Sequence, residues 1–511
     1  MYYYREVLTN DPFRRSERER DSKYPDDASK GDLFGLRQRP RQLRILVDRE
    51  SFSDPPTPDE LEASRVLQAL GQQDSVYVLS IDMSKVTDAG DNDETPDVVH
   101  LRDYTENKGW ASLPGSFYGY RIYYSRGSTK VMDGNISPEP QLFQNLMGFA
   151  EEGGPQLEEV SAEEIQRHVL LTAAGRKVAD LIISESPVAK RTDVAANYAT
   201  NVFSRAEAIP IIAHYLRTQQ IYHLDPVGNR YSNRKTFYHS AVYAMAPNIC
   251  YWEAKTRYVP TSRYRTDCNE MIGRLIRALK AFDDLRFHLG ALQTLDSYDD
   301  VADCVDRLLW SLCGAVDVLA RSLHFALQLS GSERFAKLHG DEWYANKLRP
   351  HYAGTPGIAN VDQAQSLLST VFTLRNTIHY RALAAAGAVN DPAPYVGRDL
   401  GRIQLLIPAD VYNQIDAQKR GRWGIEEVAP NAPVAADLAT VASTALDVVF
   451  SFLDHLCGML AFEAIDDKDE VLKLTEYTVV KDGRKTAARI RQLIGSRDIG
   501  SDGLQPVYPL E

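Results

Sequence analysis

The chain has 511 residues, 44% of them hydrophobic and 25% charged, with a formal net charge of -12. This is the composition of a folded protein of two or three domains, at roughly 100–200 residues each, and it excludes a chain that is mainly disordered. An acidic total repels polyphosphate at long range, so general nucleic-acid coating is excluded and only a local basic site is left open.

The first twenty residues, MYYYREVLTNDPFRRSERER, lack the apolar core of a signal peptide. No run of about 18 apolar residues is seen, so no membrane span is expected. The five cysteines (Cys250, Cys268, Cys304, Cys313 and Cys457) form no C-x-x-C pair. An odd count, with three of the five inside apolar helical patterns, is reducing-compartment usage. The expectation is a soluble, cytoplasmic protein without a cofactor.

Residues 1–42 are charged and turn-rich and read as an arm. An α/β domain is expected over 43–222. Leu43 to Val47, ending at Asp48, is a first strand, 74–83 a second and 120–125 a third. The acidic stretch 87–97 reads as a loop. Ser161 with Glu164 has the spacing of a capping box and opens a helix to about Lys177. ADLIISES (179–186) is a short buried strand. Ser204 with Glu207 is a second capping box, ahead of a helix carrying Ile209, Ile212 and Leu216.

Residues 223–265 lack helical periodicity and read as a basic, tyrosine-rich connection holding the domain boundary. From 266 to 465 four apolar stripes recur at helical spacing, led by Met271, Val301, Leu367 and Leu438. Four amphipathic helices bury their stripes only against one another, which makes a bundle. An insertion interrupts it at about 387–433 and contains a strand-like IQLLIP (403–408). The tail, 466–511, holds one short helical pattern, RKTAARIRQLIG. The class is therefore α+β, with an α/β domain followed by an all-α bundle.

The most specific local feature is LRNTIHYR, 374–381. Arg375 and His379 stand four apart, one turn apart on a single helical face beside Leu374 and Ile378. Asn376 sits about 100° further round. A guanidinium grips phosphate oxygens with a two-pronged fork, and an imidazole moves protons near neutral pH. RNA brings its own nucleophile, the 2′-hydroxyl, so this pair suits phosphodiester cleavage without a metal. The plainer alternative is a pair that bonds a neighbouring helix.

A helical C-terminal half with this Arg-Asn…His run resembles a HEPN domain, over about 267–465. The resemblance implies a metal-independent ribonuclease, working as a homodimer, in a bacterial or phage toxin or defence setting. Arg375 would then hold the phosphate, His379 would act as general acid or base, and Asn376 would be the polar residue after the arginine. The spacing from Arg375 to His379 is shorter than is usual in that family, some of whose members are non-catalytic binding modules.

ADLIISES and the helix after it are similar to the later half of PIN-like domains, which are metal-dependent nucleases. That resemblance implies carboxylates gathered on Mg²⁺ or Mn²⁺, with Asp48, Glu164 and Glu185 as the residues available. The residues 217–286 interleave cations, among them Arg230, Arg234, Lys235, Arg257, Arg263 and Arg265, with tyrosines. Cations and rings together suit single-stranded RNA; the alternative is an interdomain connection packed by its tyrosines. No phosphate-binding glycine loop, zinc spacing or nucleophile elbow occurs. His324 is read as a core residue.

Overall fold

The computed structural model describes residues 42–52, 55–73, 75–81, 96–103, 118–123, 125, 131–136, 160–190, 202–223, 230–231, 234–256, 262–290, 295–355, 357–378, 384–387, 403–426, 434–460 and 483–495. They form two compact units, the first with its elements up to Gln219 and the second from Gln220 onward. The fold is mixed α+β, with a seven-stranded sheet in the first unit and a mostly helical second.

In the first unit, β1 (Leu43–Asp48) is an apolar strand with Leu43, Ile45 and Leu46 buried. A strand covered on both faces reads as a nearly continuous apolar run, which is why it is visible in the sequence. Helix α1 (Pro58–Gly71) leads to β2 (Val76–Ile81), which pairs with β1 in parallel. β3 (Val98–Asp103) adds in parallel, and β4 (Tyr118–Tyr123) and β5 (Val131–Ile136) extend that side antiparallel. Helix α2 (Ala162–Val178) then brings the chain to β6 (Leu181–Ile183), on the other side of β1. β7 (Val202–Phe203) pairs with β6, and α3 (Arg205–Thr218) packs against α1.

The sheet order is β5-β4-β3-β2-β1-β6-β7. The chain leaves β1 toward one edge and later returns beside β1 to build toward the other. The carboxyl ends of β1 and β6 are thus a switch point, where open α/β sheets place their sites.

Both expected capping boxes are present, Ser161 with Glu164 and Ser204 with Glu207, and Thr57 with Glu60 makes a third on α1. Gly175 is required by packing. A Cβ there would overlap the Ile182 side chain, so α2 lies on the sheet at a distance only glycine permits.

The second unit begins with a two-stranded ribbon, β8 (Tyr222–His223) and β9 (Arg230–Tyr231). The segment 223–265, read as an irregular connection, instead carries two helices, α4 (Arg234–Met245) and α5 (Pro247–Thr256). The reason is burial on all sides: every residue from Phe237 to Ala246 except His239 is buried, so no polar face alternates with an apolar one. Pro247 ends one helix and opens the next. The domain boundary accordingly lies before this segment.

Helices α6 (Ser262–Gly290) and α7 (Leu295–Ala326) pack along their length. α8 (Ile358–Ile378) and α9 (Leu438–Met459) complete the group with the expected apolar stripes. The interruption between them is a four-stranded antiparallel sheet, β10 (Ala384–Gly387), β11 (Ile403–Ile407), β12 (Ile425–Glu426) and β13 (Val434–Asp437), in the order β10-β11-β13-β12. α10 (Gly483–Ile494) packs on α4.

Among the described residues two helices reach the length and mean hydropathy of a membrane span: Tyr298–Ala326 within α7, and α9. Their apolar windows are 61% and 78% buried inside the protein, so that apolarity is spent on neighbouring helices. α9 contacts α5, α6, α7 and α8 and is the central rod of the unit. All five cysteines are buried free thiols.

One polar contact fixes α9 to α5. Asp454 accepts the backbone N–H of Asn248 at 2.7 Å and its side-chain amide at 3.1 Å, at the amino end of α5, where N–H groups lack intrahelical partners. Burial pushes the Asp454 carboxyl up to about 7, against the opposing effect of Asn248 and Arg491. The folded state therefore keeps a proton that the unfolded chain releases near pH 4, and stability falls as pH rises from there to about 7, then levels. Asp454→Asn should gain on the wild type by several degrees of melting temperature between pH 5 and pH 8. Thermal unfolding at the two pH values checks this, and a constant difference between the proteins would contradict it.

Candidate functional site

Arg375 lies in the last turn of α8 with its side chain 16% exposed. Its Nη2 lies 3.6 Å from Asp317 Oδ2 on α7, and its guanidinium carbon stands 5.7 Å from the Trp310 ring centre and 5.1 Å from that of Phe372. The charge is therefore held between rings and one carboxylate, a geometry that a planar guanidinium tolerates far better than an ammonium.

Around it is a recess of about 200 Å³ lined by Asp317, Arg321, Arg334, Lys337, His339, Arg375 and Asn376. A second lobe of about 150 Å³ shares Asp317, Arg321 and Arg375 and adds Arg274 from α6 and Trp310 from α7. Five cations thus face one carboxylate among the described lining residues. Arg274 reaches this lobe across Gly314, where a Cβ would overlap its guanidinium.

His339 stacks on Phe372 with ring centres 3.6 Å apart and planes 13° from parallel. Burial, with Lys337 and Arg375 nearby, lowers its pKa to about 4. It is neutral near pH 7 and too weak a base to shuttle protons there. Its buried Nδ1 has no hydrogen-bond partner among the described residues. Beneath Arg375, burial pushes the Cys313 thiol up to about 12, which makes it inert.

The motif residues are thus partly placed. Arg375 and exposed Asn376 share the recess, whereas His379 lies outside the described residues. His324 is structural: its Nε2 lies 3.1 Å from the Gly331 carbonyl, and Trp343 Nε1 donates to its Nδ1 at 3.4 Å. Arg321, Arg334, Lys337 and His339 escaped the sequence reading, and Arg274 was read only as one cation of the basic segment 217–286, because no local spacing links residues on separate elements. A signal did exist on α7, where Trp310, Gly314, Asp317 and Arg321 recur at four, three and four positions, off the apolar stripe.

Part of the aromatic set in the basic segment is turned inward. Tyr238, Tyr243, Trp252 and Tyr264 are buried. Tyr238 donates to Asp283 at 2.7 Å and Tyr243 donates to Glu253, so these rings are core and cannot stack on bases. Arg234, Lys235 and Arg265 are exposed. Arg263 is committed to Glu333 at 2.5 Å and to Asp267, and it covers the Phe325 ring at 4.2 Å. Arg230 stands in β9, and Arg257 lies outside the described residues.

Two of the three carboxylates suggested for a metal, Asp48 and Glu185, are paired with arginines. At the switch point of the first unit, Asp48 accepts Arg167 Nη2 and Ser184 Oγ, both at 2.9 Å. Glu185 accepts the backbone N–H and Nε of Arg205 at 2.9 Å each, and Arg205 Nη2 pairs with Glu60 at 3.0 Å. Glu164 closes the capping box of α2. Among the described residues no three His, Cys, Asp or Glu side chains are grouped to hold a metal. Guanidinium groups take the place that a cation would need.

No family model, curated protein or solved structure matches this chain.

Two outcomes follow. Arg205 is 3% exposed and Glu185 9%, so Arg205→Met strands a buried carboxylate and should cost about 3–5 kcal/mol in urea unfolding. Adding Glu185→Gln should restore part of the loss. At the recess, burial raises the Asp317 carboxyl above its ordinary range, although Arg375 and three other cations oppose the shift. Asp317→Asn removes the opposing charge and should tighten pyrophosphate binding several-fold at pH 7.5 and low salt. The gain should shrink as acid protonates wild-type Asp317. Calorimetry at pH 5 and 7.5 tests both points, and weaker binding by the variant would contradict them.

Proposed function

We propose that the helical unit acts on RNA through this recess, as a metal-independent endoribonuclease of HEPN type that works as a homodimer. The observation that carries the reading is the meeting of Arg375 and Asn376, the pair named by the motif, with a recess whose other charged walls are almost all cationic. Arg375 and Arg321 take the non-bridging phosphate oxygens and stabilise the charge that grows on them. Asn376 orients the same group by hydrogen bonding. His379, next after α8, moves the proton. The ribose 2′-oxygen bonds to phosphorus as the 5′-oxygen leaves; the 2′-proton goes to a base and the 5′-oxygen receives a proton. The products are a 2′,3′-cyclic phosphate and a 5′-hydroxyl.

The setting is a bacterial or phage toxin or defence system, as the resemblance implies. In the same reading the first unit is PIN-like in fold, with its metal positions replaced by the Asp48–Arg167 and Glu185–Arg205 pairs.

A second reading is a non-catalytic module that binds RNA or protein. It is favoured by the packing of Arg375, which is mostly covered and already paired with Asp317.

Cleavage of mixed RNA in EDTA separates the two. On the first reading the wild type cuts, and His379→Ala lowers the rate at least about 10²-fold, the lower end of what a positioned proton carrier contributes. Arg375→Ala lowers it as well, while both variants keep the wild-type circular dichroism spectrum. Equal cutting by His379→Ala and the wild type, or none by either, removes the catalytic reading.

A further inference from the structure

The recess has a second lobe whose lining does not suit a phosphate alone. Trp310 stands at its edge, 45% exposed, one of few large apolar side chains on the described surface. It is on α7, whose Gly314, Asp317 and Arg321 follow on the same face toward the phosphate lobe. From Trp310 to Arg321 the helix rises about 16 Å. That is several times the roughly 3.4 Å that separates stacked bases along a strand. Each lobe is smaller than the roughly 300–1,000 Å³ of a pocket for a whole drug-sized ligand, so each receives one group of a longer molecule. The two lobes share Arg321 and Arg375, which puts a ring on one side of a phosphate-binding pair and further cations, Arg334 and Lys337, on the other.

We infer that this face reads single-stranded RNA, with Trp310 stacking on an unpaired base while Arg375, whose guanidinium carbon stands 5.7 Å from the ring centre, holds the adjoining phosphate and Arg321 holds a phosphate further along the strand. The inference rests on the phosphate-binding role of the recess and adds the substrate class. A paired base offers no free face to an indole, so duplex RNA fits the cations and leaves the ring unused. Stacking tolerates any base, since every base has a π face, and the preference is for unpaired over paired RNA rather than for a sequence. Arg274 beside Trp310 supplies a second phosphate contact one step along the strand.

The test uses the full chain and 2′-O-methyl oligomers of eight nucleotides, which bind without being cut. The probes are a single strand, an abasic strand of equal charge, and a duplex of the same length. The single strand should bind about tenfold more tightly than the abasic strand, within the range for one stacked base. It should also quench tryptophan fluorescence. Trp310→Ala should abolish this preference, and Trp310→Phe, which keeps a ring beside Arg375, should keep most of it. Wild-type binding that is equal for abasic and base-bearing strands, or an unchanged preference in Trp310→Ala, overturns the stacking role and leaves the phosphate recess standing. Failure of all three probes to bind removes the recess reading and the inference with it.

Discussion

Like charges gathered at one recess repel one another, and only the packing beneath can hold them there. Arg274, Arg321, Arg334, Lys337 and Arg375 face a single carboxylate, Asp317. Each close pair of like charges works against the fold by roughly 1 kcal/mol in water and more where solvent is thin. Against this stand the buried faces of α6, α7 and α8. Leu275, Leu308, Leu312, Val316 and Leu368 are all fully buried. Each such side chain contributes about 1.5–3 kcal/mol, so the apolar seam outweighs the repulsion above it. Charge held in place at the expense of stability is what a binding site for an anion requires, because the ligand then relieves the strain.

The first unit resolves its charges in the opposite way. Asp48 and Glu185 meet arginines of their own chain at the carboxyl ends of β1 and β6. Each guanidinium there is shared by two carboxylates, Arg167 by Asp48 and Glu50 and Arg205 by Glu60 and Glu185. One unit thus spends its arginines on structure, and the other keeps them at a surface.

How much of this was legible in the sequence depends on whether a feature is local. The stripes of α6, α7, α8 and α9 were readable because each helix has one face in the core, and the capping boxes at Ser161 and Ser204 because their partners lie three residues away. α4 was not readable, since burial on every side erases periodicity. β5 was missed because Asp133, Gly134 and Asn135 interrupt an edge strand in which Ile136 is buried. At the site, Arg375 and Asn376 were legible as a motif, but their companions on α6, α7 and the segment after it become neighbours only when the helices pack. Tyr238, Tyr243 and Tyr264 misled for the same reason: composition names the rings and cannot say that they face inward.

The position of α9 in the chain has a consequence for synthesis. It is the rod against which α5, α6, α7 and α8 pack, yet it comes last of the five, ending at Met459. At roughly 5–20 residues per second, about 10–40 s separate the emergence of Ser262 from that of Met459. Throughout that interval the 29-residue and 32-residue helices α6 and α7 lack the part of their cover that α9 supplies. The apolar face that α9 covers is therefore completed only when that helix has left the ribosome.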